Sequence, residues 1–467
     1  MKDQHSRLIA LLLAVLTLLT FCASCSTDGG AEDSSEGDIS AGTTAEITTE
    51  EPSISVIVPP VTSAPETSAP EDSGDVSAEI TDPPTPTDYL RILIQSGMGE
   101  AIVSQLSSEE DAELLDRRLS EMTLGFRASL TLTSTTNMIA TVQSEVLSGE
   151  SNYDMLLLCA PHASELFCSA LLEDLSEAGI GIKPESAGIR HSLTESLSLG
   201  GGNYIISPDG LVSDLYSSYA LKFKSDAISE SLVSKALSGD FTLDSLTACI
   251  KDRGAGADLS GSPLALYSAF GGRLFELSDL RLPVMGMDAD SFTPAYSAAL
   301  SAFGLGSSEN DAVFTLCKLE AVDGKEVFLP MPKLDAQSEY VTPVDVDTMS
   351  FFAAPAGVVE GERLARLLEA FDLSSSEYRN AVRDRMVGAD IEGGERSLAR
   401  KLIENIESAA RADLGSLLGW GDLDEYIAEG IRNNVSASSL KGDREAKLRR
   451  EAIATASEII AERLGIK

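Results

Sequence analysis

Residues 26–87 contain no Lys, Arg, Phe, Tyr or Trp, yet hold 14 acidic residues and 8 prolines, with Ser and Thr filling most of the rest. Such a stretch cannot bury enough apolar surface to offset the entropy of ordering it. Its one apolar interruption, Val56-Ile57-Val58, is too short to nucleate a core. Residues 25–87 therefore read as a disordered acidic tether, and any globular fold has to be made by residues 88–467. As a flexible coil the spacer spans roughly 40–47 Å, and proline and like charge stretch it further.

Ahead of the tether, Lys2 and Arg7 flank the start of an apolar run from Leu8 to Phe21. That run is shorter than the roughly 20 residues a bilayer-spanning helix needs. A charged start, a short apolar middle and small residues before a cut site make residues 1–24 an export signal. The run ends Cys22-Ala23-Ser24-Cys25, which resembles a bacterial lipobox with Cys25 as the lipidated residue. Cys22 stands where Leu is usual, and bulky Phe21 makes Cys22 itself a poor acceptor. The alternative is an ordinary secretory signal cleaved nearby. Lipidation implies a chain held at the extracellular face of the cell membrane, since acyl tails contribute about 0.8 kcal/mol per buried methylene.

The 35 Lys+Arg stand against 74 Asp+Glu, a formal charge of −39. That excess argues against nucleic acid or an anionic lipid surface as partner, because phosphate binding needs clustered cations. With three His (His5, His162 and His191), a His-rich metal site is not expected, and no metal or other cofactor is. Cys159, His162 and Cys168 fit no zinc spacing. Together with Cys249 and Cys317 they leave four cysteines after Cys25, an even number that permits disulfides outside the cytoplasm without fixing their pairing.

Order signals begin at Asp88. Leu90 to Ile94 reads as a buried strand, and Glu109 to Met122 puts Leu114, Leu115, Leu119 and Met122 on one helical face. Leu130 and Leu132 alternate with threonines as in a strand. Asn137 to Leu147 reads helical, Met155 to Leu158 is a short buried strand, and Ala163 to Leu172 a helix. Strands alternating with helices imply an α/β fold with parallel sheets covered on both faces. At the far end, Asp443 is placed to cap a helix with a stripe of Leu448, Ala452, Ile453, Ala456, Ile459, Ile460 and Leu464, ended by Gly465.

Several motifs then follow one another in order: Tyr153-Asp154 before the strand to Leu158, Leu171 to Leu175, Gly202-Asn203-Tyr204-Ile205, and Gly239 to Asp244. Leu329 to Gln337 with Tyr340, and Asp413-Leu414-Gly415 with Trp420-Gly421, complete the series. Their order resembles that of family 1 extracellular solute-binding proteins of bacterial ABC transporters, of the clostridial lipoprotein type. The resemblance implies a two-lobe periplasmic-binding-protein-like fold of type II. Lobe 1 would comprise about 88–207 and 352–400, and lobe 2 about 212–350 and 405–467. The chain would cross near 207–214, 350–355 and 390–410, and close by hinge motion around a ligand.

Open α/β sheets bind ligands beyond the carboxyl ends of their strands, which makes Gln95, Ser96, His162 and Ser164 candidates. Asp214 and Tyr216, with Tyr219, lie near the first crossing, where carboxylates and phenols can take ligand hydroxyls. Phe270, before Gly271-Gly272, resembles a family glycine loop; Phe351 lies at the return crossing. Trp420, the single Trp, offers an aromatic face for a sugar ring. The family's Trp in the Gly239 to Asp244 motif is Phe241 here, so a long oligosaccharide is not expected. No G-x-S-x-G elbow, H-E-x-x-H helix or nucleophile arrangement suggests an enzyme. The function implied is a monomeric, lipid-anchored receptor capturing a small solute, such as a carbohydrate, for an ABC permease. A cell-surface glycan- or protein-binding lipoprotein with the same fold and no transport role is the alternative.

Overall fold

The computed structural model describes residues 85–96, 109–150, 152–176, 180–182, 191–227, 229–253, 256–306, 312–357 and 360–466. The export signal, Cys25 and nearly all of the tether lie outside the described residues.

The chain opens with β1 (Asp88–Gln95), α1 (Glu109–Glu121), β2 (Ala128–Thr135), α2 (Met138–Ser148), β3 (Met155–Leu158) and α3 (Ala160–Cys168). Helix α4 (His191–Ser196) and α5 (Ser213–Ser217) lead to β4 (Tyr219–Lys224), α6 (Glu230–Ser238), α7 (Leu243–Arg253), β5 (Gly256–Asp258) and α8 (Pro263–Ala269). Next come β6 (Phe275–Leu277), β7 (Pro283–Met285), α9 (Phe292–Phe303), β8 (Ala312–Lys318), β9 (Glu326–Leu329), β10 (Thr342–Val344) and β11 (Phe351–Ala353). The last part is α10 (Gly361–Ser374), α11 (Ser376–Arg385), α12 (Gly393–Ser408), β12 (Ala410–Ala412), α13 (Leu414–Leu418), α14 (Leu423–Arg432), α15 (Ala437–Gly442) and α16 (Arg444–Arg463).

The first sheet has the order β11-β3-β1-β2. β1 runs parallel to β2 and β3, with Asp88 opposite Ala128 and Ile92 opposite Met155. β11 returns from far along the chain and pairs antiparallel, Phe351 opposite Leu158. All four residues of β3 are buried because both faces are covered. Leu156 and Leu158 join the core containing α2 and α3, while Met155 and Leu157 join Leu364, Leu367 and Phe371 of α10. This is the two-residue period of a strand serving two cores.

The second sheet, β5-β8-β4-β9, departs from the all-parallel expectation. β8 and β9 flank β4 and both run against it; β5 with β8 is its parallel pair. The parallel pair β10–β12 and the hairpin β6–β7 stand apart. The largest apolar core is continuous across both large sheets, from Leu93 and Leu156 to Leu221, Phe223 and Leu329.

Two helix readings shift in detail. α3 begins three residues early, at Ala160, because Pro161 sits in the first turn, where its missing N–H is harmless. α16 buries Ala446, Ile453, Ser457 and Ile460 but leaves Leu448 and Ile459 exposed. Packing against β7 uses a narrower face than the whole apolar stripe, and Ser457 reaches the Pro283 carbonyl. Gly465, at φ +69°, ends the helix as expected, whereas Asp443 makes no side-chain capping bond. Motifs far apart in sequence meet. The Tyr340 hydroxyl accepts the Phe241 N–H at 2.9 Å, and the Lys333 N–H donates to the Phe241 carbonyl at 3.1 Å.

Candidate functional site

A cavity of about 520 Å³ lies among α4, β4, α8, the β6–β7 hairpin, β10, β12 and α14. Its size suits a small solute. One wall is the turn after α8, where Phe270 lines the space and Gly271 adopts φ +85°. A Cβ on Gly272 would overlap the Tyr267 ring, so the turn is closed only by glycine. The Tyr267 hydroxyl then donates to the Arg273 carbonyl at 3.0 Å across the turn, and burial pushes this phenol far above its ordinary pKa.

Asp413 holds the adjoining wall. One of its oxygens accepts the Gly415 and Ser416 N–H groups at 2.7 and 3.3 Å, capping α13; the other accepts the Leu274 N–H at 2.9 Å. Burial nevertheless raises its pKa, the backbone donors opposing. This carboxylate is spent on architecture.

A different set of carboxylates lines the cavity beside Tyr219. Asp345 takes the Lys318 ammonium at 2.9 Å and accepts the Asp347 N–H at 3.1 Å. Partial burial raises the pKa of Asp347, and Asp345 and Asp424 raise it further by like charge. Tyr219 is half-buried, with its phenol raised chiefly by burial and hydrogen-bonded to Ser262, the residue that caps α8. The three lining arginines differ in occupation. Arg411 pairs with Glu339 at 3.0 Å and Arg273 with Glu276 at 3.8 Å, whereas Arg281 has no ion pair among the described residues.

The residues singled out in the sequence are dispersed, and of them Phe270 and Tyr219 line this cavity. Gln95 is used at both ends: its Oε1 accepts the Met138 N–H at 3.1 Å and its Nε2 donates to the Thr136 carbonyl at 3.0 Å. Ser96 bonds Ser134 at 2.8 Å. The His162 ring nitrogen Nδ1 lies 3.2 Å from the Cys159 Sγ, and Ser164 donates to the Leu418 carbonyl at 3.0 Å, tying α3 to α13. Phe351 is fully buried, and Tyr216 packs against a core of α5, α11 and α12 residues. The Trp420 ring packs tilted on Phe275, a lining residue, with centroids 5.7 Å apart, and its indole reaches the Cys168 sulfur. Trp420 thus stands behind the wall. The four cysteines of the described residues are all free thiols.

Asp214 corrects the sequence reading most plainly. It is 1% exposed and gives both oxygens to Arg379, whose Nη1 lies 3.0 Å from Oδ1. Arg379 also binds Glu407 at 2.6 Å and the Asp209 carbonyl at 3.0 Å. The carboxylate expected to meet ligand hydroxyls instead clamps the 209–214 segment to α11 and α12. Ser213 exchanges bonds with the Ser350 backbone, and Ile206 pairs with Phe352 in both directions at 2.8 and 2.9 Å.

Sequence reasoning passed over Asp345, Asp347, Asp424, Arg281 and the α4 residues Ser192, Glu195 and Ser196. The one signal on offer was Asp345-Val346-Asp347 just before the return crossing.

No family model matches the chain, and no curated protein does. Among solved structures, the chain is similar to an extracellular solute-binding protein family 1 from Alicyclobacillus acidocaldarius subsp. acidocaldarius. The identity is 13%, over 81% of this chain and 99% of that one, with a TM-score of 0.45.

Proposed function

We propose that this chain is an extracellular solute-binding protein, held at the membrane by a lipid on Cys25, which captures a small solute for an ABC permease. The observation that carries this reading is the cavity itself, walled by elements from residues 192 to 424 beside the segments that link the two sheets. On this reading lobe 1 is about 88–207 with 352–400 and lobe 2 about 212–350 with 405–467. The protein acts as a monomer and turns over no substrate. A small sugar or sugar derivative is the solute class that the family resemblance favours.

The test is a thermal-shift panel of sugars, polyols, amino acids and peptides on the full chain. A ligand at about 100 times its dissociation constant stabilises the protein by about 2.7 kcal/mol. A hit should also reduce the radius of gyration in solution scattering, and Cys25→Ala should release the chain into the medium. Cleavage of any captured compound by pure protein would end the receptor reading.

A second reading is a cell-surface glycan- or protein-binding lipoprotein without a transport role. The buried Arg379 clamp favours it, because linking segments fastened this thoroughly resist the rotation that alternate opening and closing requires. A ligand that binds without changing the radius of gyration would select this reading over transport.

A further inference from the structure

We propose that the solute entering this cavity carries a positively charged nitrogen, seated among Asp345, Asp347 and Asp424 against the Tyr219 ring. The inference rests on the reading of the cavity as the solute site and adds the chemical class of its occupant.

The lining holds six carboxylates, Glu195, Glu339, Asp345, Asp347, Asp413 and Asp424, against three arginines. Two of the arginines are already engaged by Glu339 and Glu276, and Asp413 is saturated by backbone donors. Among the described residues, Asp347 and Asp424 have no ion pair, and the single ammonium beside them, Lys318, is bonded to Asp345. A carboxylate whose like-charged neighbours disfavour its ionised form gains when a cation is placed between them.

Tyr219 lies within electrostatic reach of Asp345 and Asp347 and supplies a half-buried aromatic surface, the second element of ammonium recognition. Among the described residues no group of three or more acidic, His or Cys side chains is arranged to hold a metal ion. The spread of these carboxylates therefore suits an organic ammonium rather than a compact divalent ion. Arg281 argues the other way, for an acidic solute. It stands alone at the hairpin tip, held by its carbonyl bond from the Gly200 N–H at 2.9 Å, against two unpaired carboxylates and a shared third.

The experiment is calorimetric titration of the full-length protein with matched probes: glucosamine, glucose and glucuronate, then putrescine and 1,4-butanediol. Charge-assisted contacts predict that each amine binds about 10- to 100-fold more tightly than its neutral partner. The Asp347→Asn/Asp424→Asn double variant should bring the ratio of amine to neutral binding close to one. Equal binding of amine and neutral probes overturns the charge inference while leaving the cavity reading intact. Preference for glucuronate, or no binding by either amine, overturns the inference as well. Ser268→Trp, which fills the cavity, should abolish all probe binding. Amine binding that survives both this block and the double variant lies elsewhere, and the cavity reading itself then fails.

Discussion

Two groups of acids in this molecule meet opposite fates. Asp214 and Glu407 are 1% and 3% exposed, and each is matched by a guanidinium, with Arg379 between them and Arg383 on the far side of Glu407 at 2.6 Å. Asp345, Asp347 and Asp424 line a cavity, and the half-buried lysine beside them is bonded to Asp345. Desolvation explains the difference: a carboxylate that stays ionised when sealed from water needs a counter-charge, whereas one that faces a water-accessible space does not. The first group is structural, and the second is left with charge available to a visitor.

The largest expected break in this comparison is Arg379→Met. It leaves Asp214 and part of Glu407 buried without a counter-charge, and should cost about 3–5 kcal/mol in urea unfolding. A cost below about 1 kcal/mol would mean that the clamp is solvated and the distinction false. Gly210→Ala tests the same segment sterically, since a Cβ there would overlap the Phe371 ring. Overpacking of this kind costs about 1–3 kcal/mol, read as a lowered denaturation midpoint with an unchanged slope.

A pH series sharpens the contrast. Asp372 is almost fully buried, and this burial raises its carboxyl well above 3.8, although the Gly210 N–H donates to it at 2.9 Å. Its folded state keeps a proton that the unfolded chain releases, so its contribution to stability falls as pH rises above about 4. Asp372→Asn should therefore gain on the natural protein, in melting temperature, as pH climbs from 4 to 7. Asp154 has the opposite sign. Burial alone would raise it, but bonds from Arg91 at 2.6 Å and Arg363 at 2.8 Å hold it below 3.8. Asp154→Asn should cost most near neutrality, and its penalty should fade as pH falls through the folded value. The smallest effect belongs to the cavity. Asp347→Asn should shift stability by no more than about 0.5 kcal/mol, and toward stabilisation, because it removes like-charge repulsion.

The strand Met155–Leu158 and the helix Glu109–Glu121 were legible because a buried strand and a one-sided helix write their burial into consecutive residues. Much of the site was not legible. Asp214 reads as a surface carboxylate near a crossing until Arg379, 165 residues away, is brought to it. Gln95 and Ser96 occupy the strand end that binds ligands in open sheets, but local donors and acceptors satisfy both. Phe270, singled out because Phe270-Gly271-Gly272 resembles a glycine loop of the family, lines the cavity. Asp347 and Asp424 come from different elements, so no spacing in the chain announces them.

From its order of residues alone, the chain determined that the fold is α/β and which short runs are buried. Those outcomes depend on local apolar pattern and on composition, which a linear text records. Only the tertiary structure decided which acids are neutralised and which face open space, since Coulomb partners and desolvation depend on distances that sequence separation does not encode.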